Sequence, residues 1–185
     1  MELAAVLLAA FARLLRFTGL IQLTFADILF SPGRDSVILI LRDTKSGHRA
    51  NKVEKVVLEE PLVAKALRWA MEGRSASSER VYTKSGREFR EEFRRLGALL
   101  GMPLERLTPY SLRRGGATWH FQCLGSLALT TAHGRWADER TARIYIDGAL
   151  AQLGEWQAGR GSQDILHMAA RAAVTALRAH RSPCS

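Results

Sequence analysis

The 185-residue chain has only two cysteines, Cys123 and Cys184. Two thiols exclude a disulfide framework and a cysteine zinc knuckle, and the usage is that of an intracellular protein. Cys123 falls in an apolar helical stretch and is expected to be a small core residue. The apolar run at the start, Leu3–Ala12, has ten residues, whereas a helix needs about 20 to span a bilayer. It imitates a secretory signal, with Ala10-Phe11-Ala12 as a mock cleavage site, but its leading segment carries Glu2 and no positive charge. The run is therefore read as a buried helix. There is no internal repeat or long low-complexity segment. No cluster of carboxylates, histidines or cysteines at ligand spacing calls for a metal, and nothing calls for a cofactor.

Negative charge is also scarce. Eighteen Asp and Glu stand against 27 Lys and Arg, giving a net charge of +9 and an isoelectric point near 10.4. A balance of that sign favours a polyanionic partner, nucleic acid ahead of an anionic membrane surface. A solvated arginine-rich face accounts for the charge about as well. What is present suffices for a core: 47% of residues are apolar and an ordinary 24% are charged. The length is that of about one domain.

Periodicity predicts a mainly α fold with a small antiparallel β-hairpin or sheet. Glu2–Phe17 is rich in Ala and Leu and is expected to be helical, with one or two further turns in Leu20–Asp27. Ser31-Pro32-Gly33 marks a turn. Ser36–Arg42 and Ala50–Leu58 are rich in β-branched residues and predict a hairpin, the only β structure expected, with Lys45 in its turn. Pro61–Met71 is expected to be a helix, with proline in its first turn. Ser85-x-x-Glu88 has the form of a capping box, followed by an apolar stripe of Phe89, Phe93, Leu96 and Leu100. Helices are further expected from Pro109 to about Leu124, Ser126 to about His133, Asp138 to about Ile146, and over Gln163–His180. The Gly115-Gly116 pair costs about 1 kcal/mol per glycine inside a helix, so another backbone or a phosphate is expected to approach closely there.

The side chains best suited to phosphate chemistry lie in Pro109–Ile146. Tyr110 and Arg113 are three apart and share a helix face, while Arg114 points elsewhere. Trp136, in Gly134-Arg135-Trp136, offers an indole N–H that only donates. Tyr145 follows nine residues later; His133 lies twelve before it and breaks that spacing. Taken singly, Trp136 reads as a core aromatic and Tyr145 as a helix-packing residue. Upstream, Arg16 is followed by Leu20, Leu23 and, eleven residues on, Asp27. An arginine at a helix end is also an ordinary partner of the helix dipole. The order and spacing of these stretches resemble the catalytic domain of tyrosine recombinases, the phage-integrase-like enzymes of mobile elements. The resemblance covers about Ala5–Gly148.

That resemblance implies a tyrosine-recombinase-like catalytic domain over residues 1–148 and a tail with an Ala/Arg-rich helix over 149–185. It implies Tyr145 as a nucleophile forming a 3′-phosphotyrosyl link, with Arg16 and Arg113 gripping the phosphate and Trp136 adding a donor. Lys45 would protonate the leaving 5′ oxygen; Lys52 and Lys55 on the following strand compete for that role. Tyr110 stands where the family usually has a histidine or lysine, and Gly19 where it has an acidic residue. The partner implied is double-stranded DNA in a nucleus or nucleoid, with no membrane. The tail helix would pack on its own domain or dock on a second protomer in a homo-oligomer. Family members usually carry an N-terminal clamp domain, which is expected to be absent. With Gly19 and Tyr110, that gives the alternative: a DNA-binding remnant that does not cut. A basic helical module for RNA or protein is a third reading. It requires Arg16, Arg113 and Tyr145 to lie more than about 15 Å apart, beyond reach of one phosphate.

Overall fold

The computed structural model describes residues 1–32, 36–42, 53–102, 104–105 and 107–146, with Asp164, Met168, Arg171 and Thr175 as isolated helical positions. Lys45 and its turn, Lys52, Cys184, the boundary at 148 and the rest of the expected tail helix lie outside the described residues. Lys55 is described, and is exposed on a strand.

Alanine at helical spacing builds α1 (Glu2–Ala12), which buries Ala5, Val6, Ala9 and Ala10. Small side chains let it pack closely against α3 (Pro61–Ala70) and α5 (Pro109–Leu124). It ends short of the expected Phe17 because Leu14 adopts φ 50°, a left-handed conformation that no α-helix continues through. The chain turns there and resumes as α2 (Phe17–Ile21), with Arg16 as its N-cap. A 3₁₀ turn follows at Phe25–Asp27. Asp27 accepts from the Thr24 backbone and hydroxyl and, at 2.6 Å, from Arg42 Nε. Burial alone would raise this carboxyl, but those bonds outweigh it and hold it below the ordinary aspartate value.

The sheet has three strands rather than the two of the expected hairpin. β1 (Ile28–Phe30) pairs antiparallel with β2 (Val37–Leu41), which pairs antiparallel with β3 (Glu54–Leu58). Three residues are too few for β1 to show alternation in the sequence. On β2, Val37, Leu39 and Leu41 face the core, and on β3 so do Val56 and Leu58. The last pair of the β2–β3 ladder is Leu41 with Glu54.

Proline at the first turn starts α3, as expected. The Ser85/Glu88 capping box opens α4 (Gly86–Leu99), which buries Phe89 and Phe93. Leu96 is instead exposed, and Gly97 fills the buried place, because a side chain there would collide with Leu107. The three later helices have nearly the expected bounds: α5, α6 (Leu127–His133) and α7 (Glu139–Tyr145). Ser126 caps α6 and Asp138 caps α7, each accepting from a backbone N–H three residues on. Cys123 is exposed rather than buried, since the buried face of α5 runs through Arg113, Gly116, Ala117 and Thr118 and ends before it. Among the described residues no helix is long and apolar enough to cross a membrane.

Two apolar clusters result. The larger joins α1, α3, α4 and the sheet. The smaller comprises Leu14, Ala117, Trp136 and Ala142, with Leu127, Tyr145 and Ile146 packed on it. The candidate site is built on this second cluster.

Candidate functional site

Gly116 shows how α5 is brought to the α1 corner. A Cβ there would stand 2.5 Å from the Phe11 carbonyl oxygen and 2.6 Å from Leu14 Cδ2, so only glycine permits the contact. The close approach expected at the glycine pair is thus by backbone. Gly115 has only an ordinary 3.6 Å neighbour in the Phe11 ring. One turn before Gly116, this crossing carries Arg113 beneath the corner.

Arg113 is 3% exposed. One terminal nitrogen donates to the Leu14 carbonyl, and the other donates to the Gly134 carbonyl at 3.0 Å. Its guanidinium lies 5.0 Å from the Trp136 ring and 5.4 Å from the Tyr145 ring. Burial, followed by the charges of Arg135 and Arg16, pushes it down to about 10. Among the described residues its Nε has no hydrogen-bond partner, nor does the buried indole Nε1 of Trp136. Buried unpaired donors are rare in folded proteins and each costs about 1–3 kcal/mol. Two of them beside one phenol suit an incoming anion.

Tyr145 ends α7, and its carbonyl accepts from Thr118 of α5 at 3.3 Å. Its ring lies 4.7 Å from Trp136 and 5.5 Å from Tyr110, which opens α5. Burial alone pushes the Tyr145 phenol up. The hydrogen bond from Tyr110 and the charges of Arg113 and Arg16 outweigh that and bring it below the ordinary tyrosine value. Tyr110 goes the other way, pushed up to about 12 by burial and by its bond to Tyr145. One phenol of the pair is thus favoured to ionise, and the other to remain a donor.

Five of the six residues singled out from the sequence are described, and all five converge. Tyr110, Arg113, Trp136 and Tyr145 are in ring or cation–ring contact, and the charge of Arg16 acts on both Arg113 and Tyr145. Lys45, the sixth, lies outside the described residues. Among them no carboxylate pairs with Arg16, in keeping with glycine at position 19. His133 is not part of this group. It stacks on His120 at 4.1 Å, donates from Nε2 to Ala12 at 2.6 Å and meets Arg13 at Nδ1.

Sequence reasoning missed four contributors. The carbonyls of Leu14 and Gly134 hold Arg113, and Arg135 is paired with Glu54 at 3.4 Å. Leu14 and Arg135 are the two non-glycine residues with positive φ among those described, at 50° and 54°. Both flank Arg113. Two strained backbone positions thus gather around one buried cation. Backbone carbonyls leave no trace in a sequence; the one available signal was the Gly134-Arg135-Trp136 triplet.

No family model matches the sequence, and no curated protein matches it significantly. Solved structures do match. The XerH site-specific recombinase bound to a palindromic difH substrate, a post-cleavage complex, superposes with a TM-score of 0.64 at 18% identity over 83% of this chain. Its pre-cleavage complex with difH gives 0.62 at 17% identity over 82%. The Tn1549 transposon integrase in complex with a circular intermediate DNA gives 0.55 at 15% identity over 80%. The chain spans 44% of each XerH chain and 57% of the Tn1549 chain. At these identities the likeness is one of architecture: helices around a small antiparallel sheet, in the arrangement of tyrosine-recombinase catalytic domains.

Proposed function

We propose that this chain cuts and rejoins DNA strands through Tyr145. The observation that carries the reading is the convergence of a depressed phenol, a buried arginine and an indole with unpaired N–H groups, and the charge of Arg16. The fold it shares with DNA-bound recombinases adds support.

The chemistry follows from the residue types. A phenol is a weak nucleophile at neutral pH unless its pKa is lowered. The positive charges of Arg113 and Arg16 favour the phenolate, and Tyr110 donates a hydrogen bond to its oxygen. Tyr110 therefore needs no basic nitrogen: it stabilises the product of deprotonation rather than taking the proton. Tyr145, partly exposed, gives its phenolic proton to solvent; its oxygen attacks phosphorus, the bond to the 5′ oxygen breaks, and a 3′-phosphotyrosyl link conserves the energy for rejoining. Arg113 and Arg16 meet charge on the non-bridging oxygens, and the Trp136 N–H adds a donor. Donors of this kind are worth about 3–4 kcal/mol each. The leaving oxygen takes its proton from Lys45, on the reading drawn from the resemblance. On the same reading, residues 1–148 are the catalytic unit, and the helix expected over 163–180 packs on that unit or docks on a second protomer.

A nicked suicide substrate, whose cleaved end diffuses away, tests the proposal. The expected result is a covalent protein–DNA adduct that is absent in Tyr145→Phe. Gly19, with no carboxylate paired to Arg16 among the described residues, favours a second reading, a binding remnant; DNA binding with no adduct at low salt selects it.

A further inference from the structure

Among the described residues the Arg135 side chain makes no hydrogen bond or ion pair with a residue of the proposed chemistry, yet Arg135 sits between two that matter. Gly134 on one side gives its carbonyl to Arg113 at 3.0 Å, and Trp136 on the other presents the indole that packs on Tyr145. Gly134 leaves no slack, since a Cβ there would lie 2.2 Å from the Trp136 ring. Arg135 itself holds φ 54°, where an arginine is strained. The pivot between carbonyl and indole is therefore a residue in an unfavourable conformation, and something must hold it there.

The side chain does so. Its Nη1 donates to the Arg13 carbonyl at 3.0 Å and to the His133 carbonyl at 3.2 Å, and its Nε pairs with Glu54 at 3.4 Å. Both members of the pair are largely buried, with 23% and 20% of their side chains exposed. These bonds tie the α6–α7 connection to the α1–α2 corner and to the first residue of β3. A surface cation poised for DNA would face solvent, whereas this one faces inward. Burial, and the neighbouring charges of Arg13 and Arg16, disfavour a cation here, and Glu54 only partly offsets them. Such an arrangement is unfavourable for charge and backbone alike, and it suits a residue held for geometry.

We infer that Arg135, held by Glu54, is a positioning residue: it fixes the left-handed turn that aims the Gly134 carbonyl at Arg113 and sets the Trp136 indole beside that guanidinium. This rests on the proposed cleavage at Tyr145. Two variants separate it from a merely structural role. Glycine tolerates φ 54°, so Arg135→Gly keeps the turn accessible while removing its anchor. Glu54→Gln keeps side-chain size and removes the charge. Single-turnover cleavage is measured on an ordinary nicked duplex and on one whose scissile phosphate is a methylphosphonate, with a methyl group in place of one charged oxygen.

The expected result is a folded Arg135→Gly protein with nearly unchanged DNA affinity. Its cleavage should fall about tenfold to a hundredfold on the ordinary substrate, the scale of a small misplacement of reacting groups. On the neutral phosphate Arg113 has less charge to meet, so the rates of variant and unaltered protein should converge. Glu54→Gln should follow in the same direction with a smaller loss, and it decides the matter should Arg135→Gly not fold. An equal loss on both substrates, or no loss in either variant, overturns the proposal. An unaltered chain that forms no adduct refutes the cleavage reading itself, and this inference with it.

Discussion

At the level of single residues, the least expected outcome concerns Tyr110. From the sequence it was a departure, a phenol where a histidine or lysine is usual, and that pointed to impaired activity. In the fold it is bonded to Tyr145 and pushed up to about 12, so it stays a donor while Tyr145 is depressed. Removing that donor in Tyr110→Phe should raise the Tyr145 value. The rising limb of the cleavage rate against pH should then move to higher pH. Below the limb, cleavage should drop about tenfold for every pH unit by which it moves. A single-turnover pH profile checks this; an unmoved profile would show that Tyr110 does not act on the nucleophile. Arg113, Trp136 and Tyr145 were legible from residue type, order and spacing. That Arg113 is also a structural bolt between two carbonyls was not, because backbone acceptors belong to the fold.

Among the elements, α5, α6 and α7 were readable almost to the residue because their ends carry local chemistry: Pro109 in the first turn, and Ser126 and Asp138 as caps. Where tertiary contact overrides propensity, reading failed. Leucine does not favour the left-handed turn that ends α1, and β1 is too short to announce itself. Gly115 and Gly116 looked alike in the sequence and differ in the fold. Gly116→Ala should destabilise the protein by about 1–3 kcal/mol through the clash with Phe11 and Leu14. Gly115→Ala has room, and should be neutral or gain up to about 1 kcal/mol of helix propensity. Urea unfolding distinguishes them, and equal effects would contradict the crossing described here.

The α1–α6 contact has its own signature. His133 meets Arg13 at Nδ1 and donates from Nε2 to the Ala12 carbonyl, in a setting whose burial favours the neutral ring. Burial and the nearby charges of His120 and Arg13 lower its pKa, against the pull of the Ala12 bond and of Glu60. His120, against Thr130 and near Arg13, is lowered by burial and by that charge. A histidine lowered in the fold binds fewer protons there than in the unfolded chain, so stability rises with pH. The contribution is complete above the ordinary value of 6.5 and is lost as pH falls below it. Melting temperature should therefore fall between about pH 7 and 5, where an ordinary histidine titrates, and His133→Gln should flatten that slope. An equally steep slope in the variant would place the titration elsewhere.

For the molecule as a whole, a part of the net charge of +9 acquires a location. Arg113, buried, and Arg135, partly buried, lie within range of each other and of Arg16, and Glu54 is the one carboxylate paired with Arg135 among the described residues. Composition could say only that a polyanion was favoured. On the proposed reading, the fold adds where one phosphate fits and which oxygen it meets. Two phenols stand 5.5 Å apart there, so identifying the attacking oxygen is the most direct test of the mechanism. The covalent adduct should be trapped on a nicked duplex, digested with protease and nuclease, and its peptide sequenced by mass spectrometry. The expected product is a nucleotide joined through its 3′ phosphate to Tyr145. A nucleotide on Tyr110, a 5′ linkage, or no modified peptide would contradict the mechanism.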